Sequence, residues 1–250
     1  MKNLLIVPAL MAGALMVPSH ASAATIIGGI GFESAKTVQS TEKKEKQQFE
    51  AILQAANVEF LGLNWNNTTA AKVNRNGDIT VARNWAYGFW NDNFGMSVDL
   101  IKGDWLGAGP NIAAVGLAYK DCWDKFCPRV NPTLAGIDMK GVDGKVFKDH
   151  GVQLNLKADY QFNDTFSATF HPQYASWSDD ELGQTMKLEF NLTANLTDDK
   201  RHKLMLVHER FLVNNASTDH RTRYIGENSP IGGYVVGTES TLKLRYFYAF

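Results

Sequence analysis

Thr238–Phe250, read as TESTLKLRYFYAF, alternates with a period of two. Leu242, Leu244, Tyr246, Tyr248 and Phe250 fall on one face of an extended chain, and Thr241, Lys243, Arg245, Phe247 and Ala249 on the other. Successive side chains of a strand point to opposite sides, so one face is wholly apolar and the other mostly polar. Such a division suits a strand held between lipid and a wet lumen.

At the other end of the chain, Lys2 precedes an apolar run through Val17, and Ala21-Ser22-Ala23 precedes Ala24. A charged start, a short apolar stretch and a small-residue cleavage pattern predict an export leader over residues 1–23. Residues 24–250 are then expected to form a single barrel domain. No later segment offers about 20 continuous apolar residues, which excludes membrane-spanning helices. The formal net charge of -1 and hydrophobic fraction of 44%, with a mean hydropathy of -0.24, fit a soluble protein. They fit equally a barrel whose strands give every second position to water. Near-balanced charge without a long basic run argues against nucleic-acid binding. No dinucleotide, phosphate-loop, calcium or zinc-hydrolase motif appears, so no cofactor, metal site or catalytic residue is assigned.

The same alternation recurs upstream. Val152, Leu154, Leu156, Ala158, Tyr160 and Phe162 alternate with Gln153, Asn155, Lys157, Asp159 and Gln161, and Asn163-Asp164-Thr165 then turns the chain. Phe166, Ala168, Phe170 and Tyr174 alternate with Ser167, Thr169, His171 and Gln173; Pro172 predicts a bulge or an irregular end there. Met186, Leu188, Phe190, Leu192, Ala194 and Leu196 alternate with Lys187, Glu189, Asn191, Thr193 and Asn195. In Lys203–Val213 neither parity is free of charge, and a bulge is expected to resolve the register. Ile79, Val81, Trp85, Tyr87 and Phe89 share a face on which Arg83 is out of character, while Gly95, Ser97 and Asp99 oppose Phe94, Met96, Val98 and Leu100.

Twelve strands are expected, near 24–34, 48–62, 66–74, 79–90, 94–102, 112–120, 132–139, 152–162, 166–176, 185–196, 202–213 and 238–250. Ten is the alternative, since strands three and seven are weak. An even number lets a closed antiparallel barrel keep both chain ends on one side. Short turns at 91–93, 163–165 and 197–201 then face the periplasm, and longer loops at 35–47, 103–111, 140–151, 177–184 and 214–237 face outward. The cysteine segment 121–131 breaks that asymmetry, being long and on the inner side. Cys122 and Cys127 are expected to form a disulfide closing a small loop.

The predicted lumen-lining set is Asp99, Lys157, Asp159, His171, Lys187, Glu189, Asn191, Asn195, Lys243 and Arg245. Mixed charges on the same strands fit either a wet channel or a salt-bridged plug. The size, the leader, the even strand count, the basic inward residues and the terminal Phe250 resemble Gram-negative outer-membrane barrels, in particular the small monomeric oligosaccharide porins for oligogalacturonate and sialic acid. The resemblance implies an all-β, closed antiparallel transmembrane barrel of the outer membrane that passes small hydrophilic solutes, acidic sugars or oligosaccharides among them. It implies an assembly signal at Tyr246, Tyr248 and Phe250, read by the barrel assembly machinery, with outer-membrane lipids and lipopolysaccharide as surroundings. An outer-membrane enzyme is the alternative, with His150 and Asp149, His171 with Ser176, Asp179 or Asp180, His208 and Glu209, or Asp219 and His220 as polar pairs. A non-conducting structural or adhesive barrel is the third reading.

Overall fold

The computed structural model describes residues 24–39, 42–103, 111–140, 146–178, 183–214 and 238–250. The leader and the segments 40–41, 104–110, 141–145, 179–182 and 215–237 lie outside the described residues, and the loop expected at 140–151 is shorter than that, because strand resumes at Val146. Twelve strands form one closed barrel: β1 (Thr25–Gln39), β2 (Glu42–Phe60), β3 (Leu63–Asn74), β4 (Ile79–Phe89), β5 (Phe94–Lys102), β6 (Asn111–Lys120), β7 (Phe126–Lys140), β8 (Val146–Gln161), β9 (Phe166–Trp177), β10 (Gln184–Asn195), β11 (His202–Asn214) and β12 (Thr238–Ala249). Each pairs antiparallel with its sequence neighbours, and β1 closes on β12 with Glu33 opposite Lys243 and Gly29 opposite Phe247. Closure leaves no strand edge with unpaired backbone, which an apolar medium requires. Among the described residues no helix is long and apolar enough to cross a membrane.

The outside carries a belt of exposed large side chains, among them Ile30, Leu117, Leu134, Val152, Phe190, Leu206, Leu242 and Leu244. A contiguous apolar surface of this extent is stable only against an apolar surrounding. Short turns close one rim. In two of them an asparagine caps the bend: Asn91 Oδ1 accepts from the backbone of Asn93 (2.9 Å) and Phe94 (2.7 Å), and Asn163 Oδ1 from that of Thr165 (2.9 Å) and Phe166 (2.8 Å). Neighbouring turns are tied by Lys200, whose amine donates to Asp164 at 3.0 Å and holds that carboxyl below its ordinary pKa.

Several expectations are corrected. The charged run Lys36–Lys46 is not a loop: β1 continues to Gln39 and β2 begins at Glu42, paired from Lys36↔Glu45 to Gln39↔Glu42. The cysteine segment is not long. β7 starts at Phe126, the Cys122–Cys127 disulfide closes the bend, and Trp123 and Phe126 exchange backbone hydrogen bonds of 2.8 and 3.0 Å across it. Short turns therefore hold along this whole rim. The β11 register needs no bulge, because its pairing with β10 and β12 runs without a shift. Leu204, Leu206, His208 and Arg210 face outward, and Met205, Val207 and Glu209 inward.

Pro172 causes no bulge either. The β8–β9 ladder lacks two pairs beside it, between Asn155↔Gln173 and Ala158↔Phe170, and resumes in the same register. Pro132 acts alike in β7, where pairing with β6 lapses between Gly116↔Thr133 and Tyr119↔Val130. There the Asn131 side chain donates to the Leu117 carbonyl at 2.5 Å, replacing the N–H that a proline lacks.

Candidate functional site

The inner faces enclose a cavity of about 520 Å³. Its wall has two unlike halves. On one, Glu189, Lys187, Glu209, Lys243, Glu33 and Lys72 alternate in sign across β10, β11, β12, β1 and β3. Lys187 Nζ lies 3.0 Å from Glu189 and 3.3 Å from Glu209. Lys243 Nζ lies 2.7 Å from Glu209 and 3.5 Å from Glu33, and Lys72 Nζ 2.7 Å from Glu33. Beside this chain Arg245 grips Glu50 with both ends of its fork, at 2.7 and 3.1 Å. Gly31 makes room for that pair, since a Cβ there would lie 3.0 Å from Arg245 Cγ and 3.3 Å from Glu50 Oε2. Every charge named in this half has an opposite partner within reach.

The other half is built on β4, whose large side chains point inward. Its outer face holds Ala82, Asn84, Ala86 and Gly88 instead. Arg83 is not out of character there: it forms a bidentate pair with Asp99 at 2.9 and 2.6 Å, with its guanidinium 4.9 Å from the Trp85 ring. The neighbouring inward positions of β5 and β6 are small, with Gly95, Ser97, Ala114, Gly116 and Ala118. Side chains of β4 therefore lie across them; a Cβ on Gly95 would sit 2.8 Å from the Phe89 ring. Tyr87 reaches Arg129 of β7, whose guanidinium stacks 4.0 Å from its ring, and Lys120 of β6 stands 4.2 Å over Phe89.

Arg129 stands directly opposite Lys120 on one side and Lys157 on the other. Three cations thus occupy adjoining cross-strand positions, an arrangement that repels itself. Lys157 is offset by Asp159 at 3.0 Å. Among the described residues Arg129 has no carboxylate partner, and the Tyr87 ring is what holds it. Next to it, Asn131 donates to Ser97 at 2.7 Å and accepts from Asn155 at 3.4 Å.

Towards the short-turn rim the wall turns apolar. Ile52, Ala70 and Phe247 are buried together, with Ile27, Trp85 and Met205 packed against them. The Phe247 ring lies flat over Gly29, where a Cβ would approach to 2.5 Å.

Of the residues expected in the lumen, Asp99, Lys157, His171, Lys187, Glu189, Asn191, Lys243 and Arg245 border the cavity. Asp159 is held inside by Lys157 and by Thr169, at 2.5 Å, but lies off the cavity wall. Asn195 sits at the short-turn rim, where its amide donates to the Asp164 carbonyl at 2.6 Å. Not foreseen were Glu33, Glu50, Lys72 and Arg129. The β4–β5 turn at 91–93 already implied that Arg83 and Asp99 come close, and the uncertain parity of β11 hid Glu209. Tyr246, Tyr248 and Phe250 face outward at the rim, the last two in edge contact at 5.0 Å, and Tyr246 bonds His202 at 2.5 Å.

Among the described residues the polar pairs weighed for catalysis form no hydrogen-bonded dyad. Asp149 and His150 point to opposite faces of β8, the imidazole 84% and the carboxylate 6% exposed, and Nδ1 and Oδ1 stay 3.7 Å apart, beyond a hydrogen bond. His171 and Ser176 on β9 and His208 and Glu209 on β11 also lie on opposite faces. Asp179, Asp180, Asp219 and His220 lie outside the described residues. Among the described residues no three His, Cys, Asp or Glu side chains converge as a metal site would require.

The sequence matches no family model and no curated protein. Its fold does match solved structures. Against a NanC porin the TM-score is 0.53 at 10% identity, covering 90% of this chain and 99% of that one. Against a KdgM porin it is 0.51 at 11% identity, covering 89% and 99%. Against an outer-membrane channel from Pseudomonas putida F1 it is 0.55 at 13% identity, covering 93% and 99%. At such identities the likeness is one of fold.

Proposed function

We propose that this chain is a passive diffusion channel of a Gram-negative outer membrane. It would pass small hydrophilic solutes, anions more readily than cations, with acidic sugars or oligosaccharides among them. The observation that carries this reading is the inner wall itself. A barrel with an apolar belt outside encloses a charged cavity, and among the described residues that cavity is bordered by seven cations and five carboxylates. Most of these charges are paired along the wall, so a passing ion meets local dipoles rather than deep traps, which conduction requires. The surplus is positive, which lowers the barrier for anions.

The fold relatives agree with this reading. One solved KdgM porin is in complex with disordered oligogalacturonate. Export by the leader at 1–23, delivery by the barrel assembly machinery through Tyr246, Tyr248 and Phe250, and a monomer surrounded by lipid and lipopolysaccharide complete the reading. Arg210, exposed on the outer face of β11, suits a lipopolysaccharide phosphate.

Planar-bilayer recording with a KCl gradient tests the proposal. The expected result is discrete conductance steps with a reversal potential displaced towards that of chloride. Silence from protein shown to be inserted overturns the channel reading, and displacement towards potassium overturns the anion preference.

A further inference from the structure

Arg129 stands apart from the other charges that border this cavity. Its register neighbours on both sides are cations, Lys120 and Lys157, and among the described residues no carboxylate answers it. Like charges at adjoining cross-strand positions raise the energy of the empty wall, and an anion placed between them lowers it. The Tyr87 ring fixes the guanidinium from one side, leaving its N–H fork available for the planar, two-oxygen geometry of a carboxylate.

What surrounds this charge is apolar on one side. Tyr87 and Trp85 both border the cavity, and beyond Trp85 lies the cluster of Ile27, Ile52, Met205 and Phe247. An anion with a hydrated, hydroxyl-covered body would lose hydrogen bonds against that cluster. An anion with a flat apolar ring would gain contact with it, and aromatic rings attract one another in offset or edge-on arrangements.

We infer that Arg129, Lys157, Tyr87 and Trp85 form a solute-binding subsite for small aromatic carboxylates. The carboxylate docks on Arg129 and Lys157 and the ring lies against Tyr87 and Trp85. This rests on the channel reading and narrows its solute class, setting ring-bearing carboxylates ahead of acidic sugars. The inward glycines and alanines of β5 and β6 are part of the device, because they let Tyr87 span the distance to β7.

The test is inhibition of KCl current through bilayer-reconstituted protein by sodium benzoate, acetate and galacturonate. Benzoate is expected to reduce the current at concentrations at least tenfold below those needed with acetate or galacturonate. Tyr87→Ala and Arg129→Gln are each expected to remove most of that advantage, and Leu244→Ala on the outer face to keep it. Folding of each variant is checked by its heat-modifiable mobility on gels. Equal potency of benzoate and acetate, or a stronger effect of galacturonate, overturns the inference while leaving the channel reading in place. Where no current is seen, the channel reading fails, and titration calorimetry on detergent-refolded protein decides the subsite by itself. Benzoate binding that Tyr87→Ala abolishes then supports it, and absence of binding overturns it.

Discussion

Gly116 faces the lumen on β6, where a Cβ would come within 2.6 Å of the Thr133 Cα and closer still to the Pro132 carbonyl. Both are backbone, so neither can swing away. Gly116→Ala is expected to destabilise the barrel by about 3 kcal/mol through overpacking. Gly136 on β7 meets nothing within 4 Å, and Gly136→Ala is expected to stay within about 0.5 kcal/mol of the parent. Urea unfolding in lipid vesicles, followed by tryptophan fluorescence, compares the two. The Arg245–Glu50 pair is sharper still, its side chains only 13% and 4% exposed. Glu50→Gln leaves a largely buried guanidinium without its counter-charge and is expected to cost about 3 kcal/mol by the same measurement. The sequence shows neither effect directly. Period-two alternation says which face Arg245 occupies, yet its partner lies 195 residues away, and only the closing register brings them together.

At the scale of elements, β7 was the least legible strand, read as 132–139 against the observed Phe126–Lys140. Pro128, Asn131 and Pro132 break the pattern of a paired strand, and the compensation is invisible in sequence because it comes from a side chain. Asn131→Ala should leave the Leu117 carbonyl without its donor, at a cost of about 2 kcal/mol. Adding Pro132→Ala restores a backbone N–H and is expected to recover part of that loss, as a double-mutant cycle would measure. The disulfide acts more weakly. It closes a bend of only a few residues, so Cys122→Ser with Cys127→Ser is expected to cost about 2 kcal/mol, read from the same unfolding curves. β4 was misleading for another reason. In most of this barrel the apolar face points outward, but in β4 it points inward onto the small residues of β5 and β6. Its parity was clear in sequence; its direction was not. Arg83, sharing a face with Trp85 and Tyr87, was the signal that this face is wet.

For the whole molecule, strand count and closure were legible, because alternation, short turns on one rim and even parity are repeated many times and errors in single strands do not change the sum. Inward positions were easiest to read where charges alternate cleanly with leucines, as in β8, β10 and β12. Selectivity belongs to this scale, since it reflects the summed potential of the wall. Arg129→Gln is expected to move the reversal potential towards potassium, and Asp99→Asn with Arg83→Gln to move it far less, because that substitution removes a charge of each sign.

The topology also bears on how the barrel comes together. Eleven of its twelve seams join neighbours in sequence, and one, β1 with β12, joins strands from the two ends of the barrel domain. Hairpins can form locally at modest entropic cost, while the closing seam must gather the full length of chain in a single event. The paired charges straddle that seam: Glu33 on β1 meets Lys243 on β12, and Glu50 on β2 meets Arg245. The alternating wall is thus a clasp as well as a lining. Refolding is expected to show early strand formation by circular dichroism, followed by one slower step to the compact form on gels. That last step alone should lengthen when Glu50 or Glu33 loses its charge.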